Sequence, residues 1–83
     1  MKLKDILNYY NTNFSYIEFR CLYKIKGKIY DDFFGACKYI NGELIPLDHD
    51  HYSLEDKYDK WETWEKDGEQ YLTVWERTEV IRG

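Results

Sequence analysis

The two histidines of the chain lie in the segment DHDH, residues 48–51, whose nitrogen and oxygen donors suit zinc or another divalent ion. Alternate residues of an extended segment point to the same side, so His49 and His51 could converge on one ion. A third or fourth ligand is not evident elsewhere in the sequence. We therefore name His49 and His51 as candidate metal ligands, but we expect no bound metal and no cofactor.

The other residues with reactive side chains are poorly placed for catalysis. Asp31 and Asp32 are neighbours in a predicted strand, so their carboxylates should point to opposite faces and not work as a pair. Cys21 occurs in the apolar register of a strand, where a thiol serves as a small buried hydrophobe, and Cys37 is not opposite it. The sequence has no nucleophile-elbow, zinc-protease or phosphate-loop motif. We expect free thiols and no enzymatic activity.

Large aromatic residues are concentrated near the C-terminal end of the sequence, in WETWEKDGEQYLTVWE, residues 61–76. Asp67-Gly68 between apolar runs is a signal for a two-residue hairpin turn. That turn pairs Trp64 with Tyr71 on one face of the ribbon. The pairs on that face are Lys66/Glu69, Trp64/Tyr71, Glu62/Thr73 and Lys60/Trp75, with Arg77 as a further candidate. The pairs on the other face are Glu65/Gln70, Thr63/Leu72 and Trp61/Val74, which resemble a core.

Two interpretations of the first face remain open, provided that this register is right. Either an N-terminal helix covers the rings, or Trp64, Tyr71 and Trp75 are exposed and anchor a partner protein, since rigid aromatic side chains dominate binding energies at interfaces.

Acidic residues are unevenly distributed along the chain. Residues 1–41 hold seven Lys and Arg against four Asp and Glu, whereas residues 42–83 hold five against twelve, so the halves carry +3 and −7 within a total of −4. Such a field repels nucleic acid and attracts basic proteins, although it can also be no more than a solvated surface. The carboxylates expected to steer a basic partner are Asp56, Asp59, Glu62, Glu65, Asp67 and Glu69.

A basic patch on the first predicted hairpin is a candidate nucleic-acid site. The patch consists of Tyr16, Arg20, Lys24, Lys26 and Lys28, a mixture of aromatic and basic groups typical of stacking surfaces. The acidic second half of the chain opposes binding to phosphates. We therefore expect no direct contact with nucleic acid.

The periodicity of apolar residues predicts the elements that position these groups. Residues 2–11 repeat at helical spacing and should end at NTN, and residues 14–25 then alternate as a strand. KGK at 26–28 predicts a three-residue loop that pairs Ile25 with Ile29 and Cys21 with Phe33. A bulge is expected near Gly35, Asn41-Gly42 predicts a second tight turn, and residues 48–57 should hold little regular structure.

These elements predict one α+β domain over residues 1–83. An N-terminal amphipathic helix should pack on an antiparallel meander of four to five strands. No segment is apolar enough to cross a membrane, and the start MKLKDILNYY lacks the continuous apolar stretch of a signal peptide, so we expect a cytoplasmic protein without membrane contact.

The Lys-, Tyr- and Asn-rich start MKLKDILNYY, followed by strands and a Trp-bearing acidic hairpin, resembles small proteins encoded by phages and mobile elements of low-GC Gram-positive bacteria. Some of these are anti-defence factors, including anti-CRISPR inhibitors. The resemblance implies that carboxylates stand in for phosphates in a basic nucleic-acid channel.

The expected function is accordingly non-catalytic. The chain should inhibit a basic, nucleic-acid-binding bacterial protein, such as a defence nuclease, as an anti-CRISPR or other anti-defence factor. Two alternatives remain open. One is an immunity or antitoxin protein that neutralises a toxin, and the other is a self-associating structural protein of a mobile element, for which a homodimer would be expected.

Overall fold

A computed structural model of the chain describes residues 1–48 and 51–77. This part of the chain contains one helix, α1, and five strands, β1 to β5. Their bounds are α1 Leu3–Tyr10, β1 Phe14–Ile25, β2 Lys28–Ile40, β3 Glu43–Pro46, β4 Lys60–Lys66 and β5 Glu69–Arg77. The predicted α+β class is confirmed, with sheet as the larger component. Within the described residues, the helix is too short to span a bilayer.

The helix forms where the apolar spacing predicted it. Leu3, Ile6 and Leu7 are buried along one side of α1, as expected for residues one helical turn apart. The helix ends at Asn11, whose φ of 50° places it in the left-handed region, and its N–H donates to the carbonyl oxygen of Leu7. Asparagine tolerates this conformation better than most residues, so the NTN stop signal is confirmed.

The predicted antiparallel meander is wrong. The strand order is β3-β2-β1-β5-β4, and β5 pairs with β1 in parallel, from Tyr16 opposite Tyr71 to Leu22 opposite Arg77. The cause is the connection between β3 and β4, which packs Tyr58 in the core beside α1 instead of turning back on β3. It therefore carries the chain to the far side of β1. Tight-turn signals specify neighbours along the chain, and they contain no information about this longer crossing.

Two of the three predicted hairpin registers are confirmed. The turns at Asn41-Gly42 and Asp67-Gly68 have positive φ at both residues, and every pair predicted around them is present. The first hairpin differs, because Lys26 itself adopts a φ of 49° and closes a two-residue turn with Gly27. Ile25 therefore pairs with Lys28, and neither the Ile25/Ile29 nor the Cys21/Phe33 pair forms.

A bulge in β2 restores the predicted register further along the first hairpin. Arg20 is opposite Phe33 and Phe19 is opposite Gly35, so Phe34 is the extra residue. Ile17 then pairs with Cys37, which is the register that a three-residue loop at 26–28 implies. The bulge expected near Gly35 is thus confirmed.

The core lies on one face of the sheet, which we call the covered face. Its buried residues come from α1, the strands and the β3–β4 connection: Leu3, Ile6, Leu7, Phe14, Ile17, Phe19, Cys37, Tyr58, Leu72 and Val74. Trp61 packs against them, as the hairpin register predicted. No described element lies over the opposite face, which we call the open face.

The two thiols are free and differ in accessibility. Cys37 is fully buried, and burial raises its pKa to about 12, whereas Cys21 is half-buried and not the fully buried hydrophobe that its register suggested.

In the native protein we expect a chromogenic disulfide reagent to modify Cys21 slowly and Cys37 only after unfolding, because the thiolate is the reactive form. Since the folded-state pKa of Cys37 lies above its ordinary value of 9.0, its contribution to stability should be intact below that pH and lost as the pH rises toward about 12. Thiol counting in buffer and in denaturant measures how many of the two cysteines react in each state. Equal, rapid modification of both thiols in buffer would contradict the core assignment.

Candidate protein-binding face

The open face is built from side chains that alternate with the core residues along each strand. Because paired residues share a face, the strand registers define its members. Its members include Tyr16, Glu18, Arg20, Asp31, Phe33, Lys60, Glu62, Trp64, Glu69, Tyr71, Thr73 and Trp75. Three of these, Trp64, Tyr71 and Trp75, are the predicted aromatic anchors. Since α1 packs on the covered face, the alternative in which the helix covers these rings does not hold.

Trp64 is the most exposed of the three anchors. It retains 42% of its accessible surface, and its ring stacks on Tyr71 with centroids 4.3 Å apart. Its indole N–H donates to the Thr73 hydroxyl at 3.1 Å, and Tyr16 lies against the other side of this cluster, 6.2 Å from Tyr71. The ring is therefore held in one orientation while its surface stays available, which lowers the entropy lost on binding.

Trp75 is covered by its own neighbours on the open face. Only 8% of its surface is exposed, because the Lys60 ammonium lies 4.5 Å above the ring and the Asp31 carboxylate accepts its indole N–H at 3.1 Å. A cation over an indole face is attracted by the ring's negative charge density. Trp75 thus forms the floor of the open face, and a partner reaches it only if Lys60 moves.

An ion-pair network occupies the centre of the open face. The Arg20 guanidinium contacts Glu18 and lies 3.3 Å from Asp31, with Phe33 6.0 Å away. The charge of Arg20 is therefore compensated, so the basic patch identified in the sequence has no free cation at this position. Sequence reasoning missed Asp31 because its face depends on the two-residue turn at Lys26-Gly27, which shifts the register of β2 as far as the Phe34 bulge.

Four of the six predicted steering carboxylates lie on the terminal hairpin, but they do not share one face. Glu62 and Glu69 share the open face with Trp64, whereas Glu65 pairs with Gln70 on the covered side and Asp67 lies in the turn. Glu69 accepts the Tyr71 hydroxyl at 3.2 Å, and burial together with this carboxylate raises the pKa of Tyr71.

The remaining two acids lie in or beside the β3–β4 connection. Asp56 accepts the backbone N–H of Ser53 at 3.2 Å, and the Ser53 hydroxyl accepts the N–H of Glu55, so these side chains cap a single turn in a connection that otherwise has little regular structure, as predicted. Asp59 precedes β4, and its N–H donates to the carbonyl oxygen of Trp75. Both side chains are exposed.

The DHDH segment lies only partly in the described region, because His49 and Asp50 fall outside it, as does the side chain of Arg77. His51 is exposed and lines a shallow cavity of about 310 Å³ beside Phe34, Tyr52 and Tyr58. Asp48 accepts the Ala36 N–H at 3.1 Å and the Tyr52 hydroxyl at 2.8 Å, which is a structural role. Within residues 1–48 and 51–77, no group of three or more His, Cys, Asp or Glu is placed to hold a metal ion.

Asp31 and Asp32 point to opposite faces, as predicted. Asp31 reaches Trp75 on the open face, whereas Asp32 accepts a hydrogen bond from Tyr23 on the other side of the sheet. The two carboxylates therefore do not form a pair.

The fold is thus a five-stranded mixed sheet with a helix on one face and an aromatic, charged surface on the other. No protein-family model matches this chain, and neither a curated protein nor a solved structure is similar enough to count as a match.

Proposed function

We propose that this chain is a non-catalytic binding protein that inhibits a basic, nucleic-acid-binding bacterial protein. The partner docks on the end of the open face that carries Trp64, Tyr71, Glu62 and Glu69. The bound carboxylates occupy positions where the partner otherwise holds phosphates. A defence nuclease has the required chemistry.

The observation that supports this proposal most is the exposed, fixed Trp64 ring on a face that no described element covers. Interfaces obtain most of their energy from a few buried aromatic or Arg anchors surrounded by polar groups. Trp64 stacked on Tyr71 is such an anchor, and Glu62 and Glu69 lie beside it on the same face.

Charge favours a basic partner. Residues 60–76, which form the terminal hairpin, contain five acidic residues and two basic ones. The acidic residues are Glu62, Glu65, Asp67, Glu69 and Glu76, and the basic ones are Lys60 and Lys66. The ion pair between Lys60 and Glu62 on β4 is 3.9 Å long and highly exposed, so it competes little with a partner's cation. Long-range attraction should raise the association rate and make binding sensitive to salt.

In the test, this chain is immobilised and captures the partner, and double-stranded DNA is then added. A partner that binds nucleic acid through the same site must be released from the immobilised chain when DNA competes. Neutralising two open-face carboxylates, Glu62→Gln with Glu69→Gln, should raise the Kd of the recovered partner by about tenfold, mainly through slower association. The matched control, Asp5→Asn with Glu43→Gln, removes the same charge far from Trp64 and should change the Kd by less than about twofold.

Equal losses in both double variants would show that only net charge matters and would contradict docking at this end of the face. A partner that DNA does not displace would contradict inhibition of a nucleic-acid-binding protein. It would favour the immunity or antitoxin role that the sequence leaves open.

A further inference from the structure

Two turns of the sheet are equivalent in backbone and opposite in charge. In the first, Lys26 and Gly27 have φ values of 49° and 82°, and in the second, Asp67 and Gly68 have values of 54° and 79°. The matching positions are occupied by Lys24, Lys26 and Lys28 in the first turn and by Glu65, Asp67 and Glu69 in the second. All six side chains are exposed. Residues 24–28 contain no acidic residue, and residues 65–69 contain one basic residue, Lys66.

The two turns lie at opposite ends of the sheet. Strands β1 and β5 are parallel neighbours, so they begin at one end and finish at the other. The basic turn follows the last residue of β1, whereas the acidic turn precedes the first residue of β5. The molecule therefore has a basic end and an acidic end, separated along β1 and β5.

Exposed apolar side chains accompany both ends of the open face. At the basic end, Ile29 pairs with Lys24 and Phe33 with Arg20, and they retain 74% and 51% of their surface. At the acidic end, Trp64 retains 42%. Apolar surface of this kind at both ends of one face is typical of an interaction site.

We propose that the open face binds the open face of a second copy of this chain, with the strands of the two copies antiparallel. In this arrangement the basic turn of each copy lies against the acidic turn of the other, with Lys24 and Glu69 on the contacting faces. Phe33 and Ile29 approach the partner's Trp64. The interface is two-fold symmetric, so both charge contacts form together and the assembly closes as a dimer.

The size of the molecule is compatible with such an interface. Its principal extents are 43, 27 and 25 Å, so a face along the long axis can supply the ~800 Å² per partner of a standard interface. The dimer hides Trp64, and a basic protein partner must displace the second copy to reach it. Displacement by that partner relies on the proposed function, but the dimer itself does not.

The test exchanges the charges of the two turns. Variant one carries Lys24→Glu, Lys26→Glu and Lys28→Glu, and variant two carries Glu65→Lys, Asp67→Lys and Glu69→Lys. Lysine is accepted at position 67 because Lys26 already adopts the same backbone conformation. Each variant alone brings like charges together at both contacts, so its dimerisation should weaken at least ~10-fold at low salt relative to wild type. Thermal unfolding confirms that each variant is folded.

An equimolar mixture of the two variants is the decisive sample, because it restores both opposite-charge contacts. Sedimentation velocity should show a dimer in the mixture at concentrations where each variant alone is monomeric. A wild-type monomer at concentrations up to about 1 mM would overturn the proposal. A wild-type dimer that both variants retain, a mixture that stays monomeric, or a mixture that grows beyond two copies would do the same. Variant one should still capture the basic partner, which separates failure of the dimer from failure of the proposed function.

Discussion

Replacing Gly35 with alanine is expected to lower the free energy of unfolding by about 3 kcal/mol. A Cβ at this position would lie 1.5 Å from the Tyr52 hydroxyl oxygen and 2.7 Å from an Asp48 carboxylate oxygen. Tyr52 is not free to move, because its ring stacks on the buried Phe19 with centroids 4.2 Å apart. Displacing it disturbs the core and the start of the β3–β4 connection together.

The magnitude follows from two terms. Overpacking a well-packed core costs about 1–3 kcal/mol, and a lost aromatic pair costs about 0.5–1.5 kcal/mol more. For a domain of this size the combined loss corresponds to a fall in Tm of roughly 15 °C, which thermal unfolding measures directly.

Two control variants distinguish this cause from a general intolerance of substitution. Gly42→Ala introduces a Cβ with no heavy atom within 4 Å, so it should cost only about 1 kcal/mol for the positive φ of 83°. In a Tyr52→Ala background, Gly35→Ala should lose most of its effect, because the clashing ring is absent. An undiminished cost in that background would show that the alanine is excluded for another reason.

Trp64→Ala is expected to weaken binding of the basic partner by about 2–4 kcal/mol, which is roughly 30- to 1000-fold in Kd. The exposed ring is the part of the open face that a flat partner surface reaches first, and the stack on Tyr71 fixes its orientation before contact. The same substitution should cost less than about 1.5 kcal/mol of stability, because the ring is 42% exposed and loses mainly that stack. Trp64→Leu, which keeps apolar bulk beside Tyr71, provides a second variant if the alanine variant is poorly folded.

The local features of the fold were predictable from the sequence. The apolar spacing of Leu3, Ile6 and Leu7 specifies the helix, because only a helical period brings these side chains to one side. Asp67-Gly68 specifies the terminal hairpin, and alternation then separates Trp64 from Trp61 without knowledge of the tertiary structure. The open face was therefore predicted as far as one hairpin defines it.

The features that depend on distant residues were not predictable. Nothing in the first turn indicates that Lys26 adopts positive φ, because lysine has no special tolerance for that region. The parallel pairing of β1 with β5 is set by how the β3–β4 connection packs beside α1. The cover on Trp75 depends on Asp31, whose face is set by that same turn. The parallel pairing and the cover on Trp75 also depend on contacts between segments that are far apart in sequence.

The central claim is that the open face, and not the helix side, is the docking surface. The most direct test compares the Kd of the recovered partner for Trp64→Ala with that for Tyr9→Ala. Tyr9 is an exposed aromatic residue of α1 that retains 78% of its surface, so it matches the chemistry of the change on the opposite side of the molecule. We expect Trp64→Ala to raise the Kd at least ~30-fold and Tyr9→Ala to leave it within about twofold. A loss of affinity with Tyr9→Ala alone, or equal small effects of both, would contradict docking at the open face.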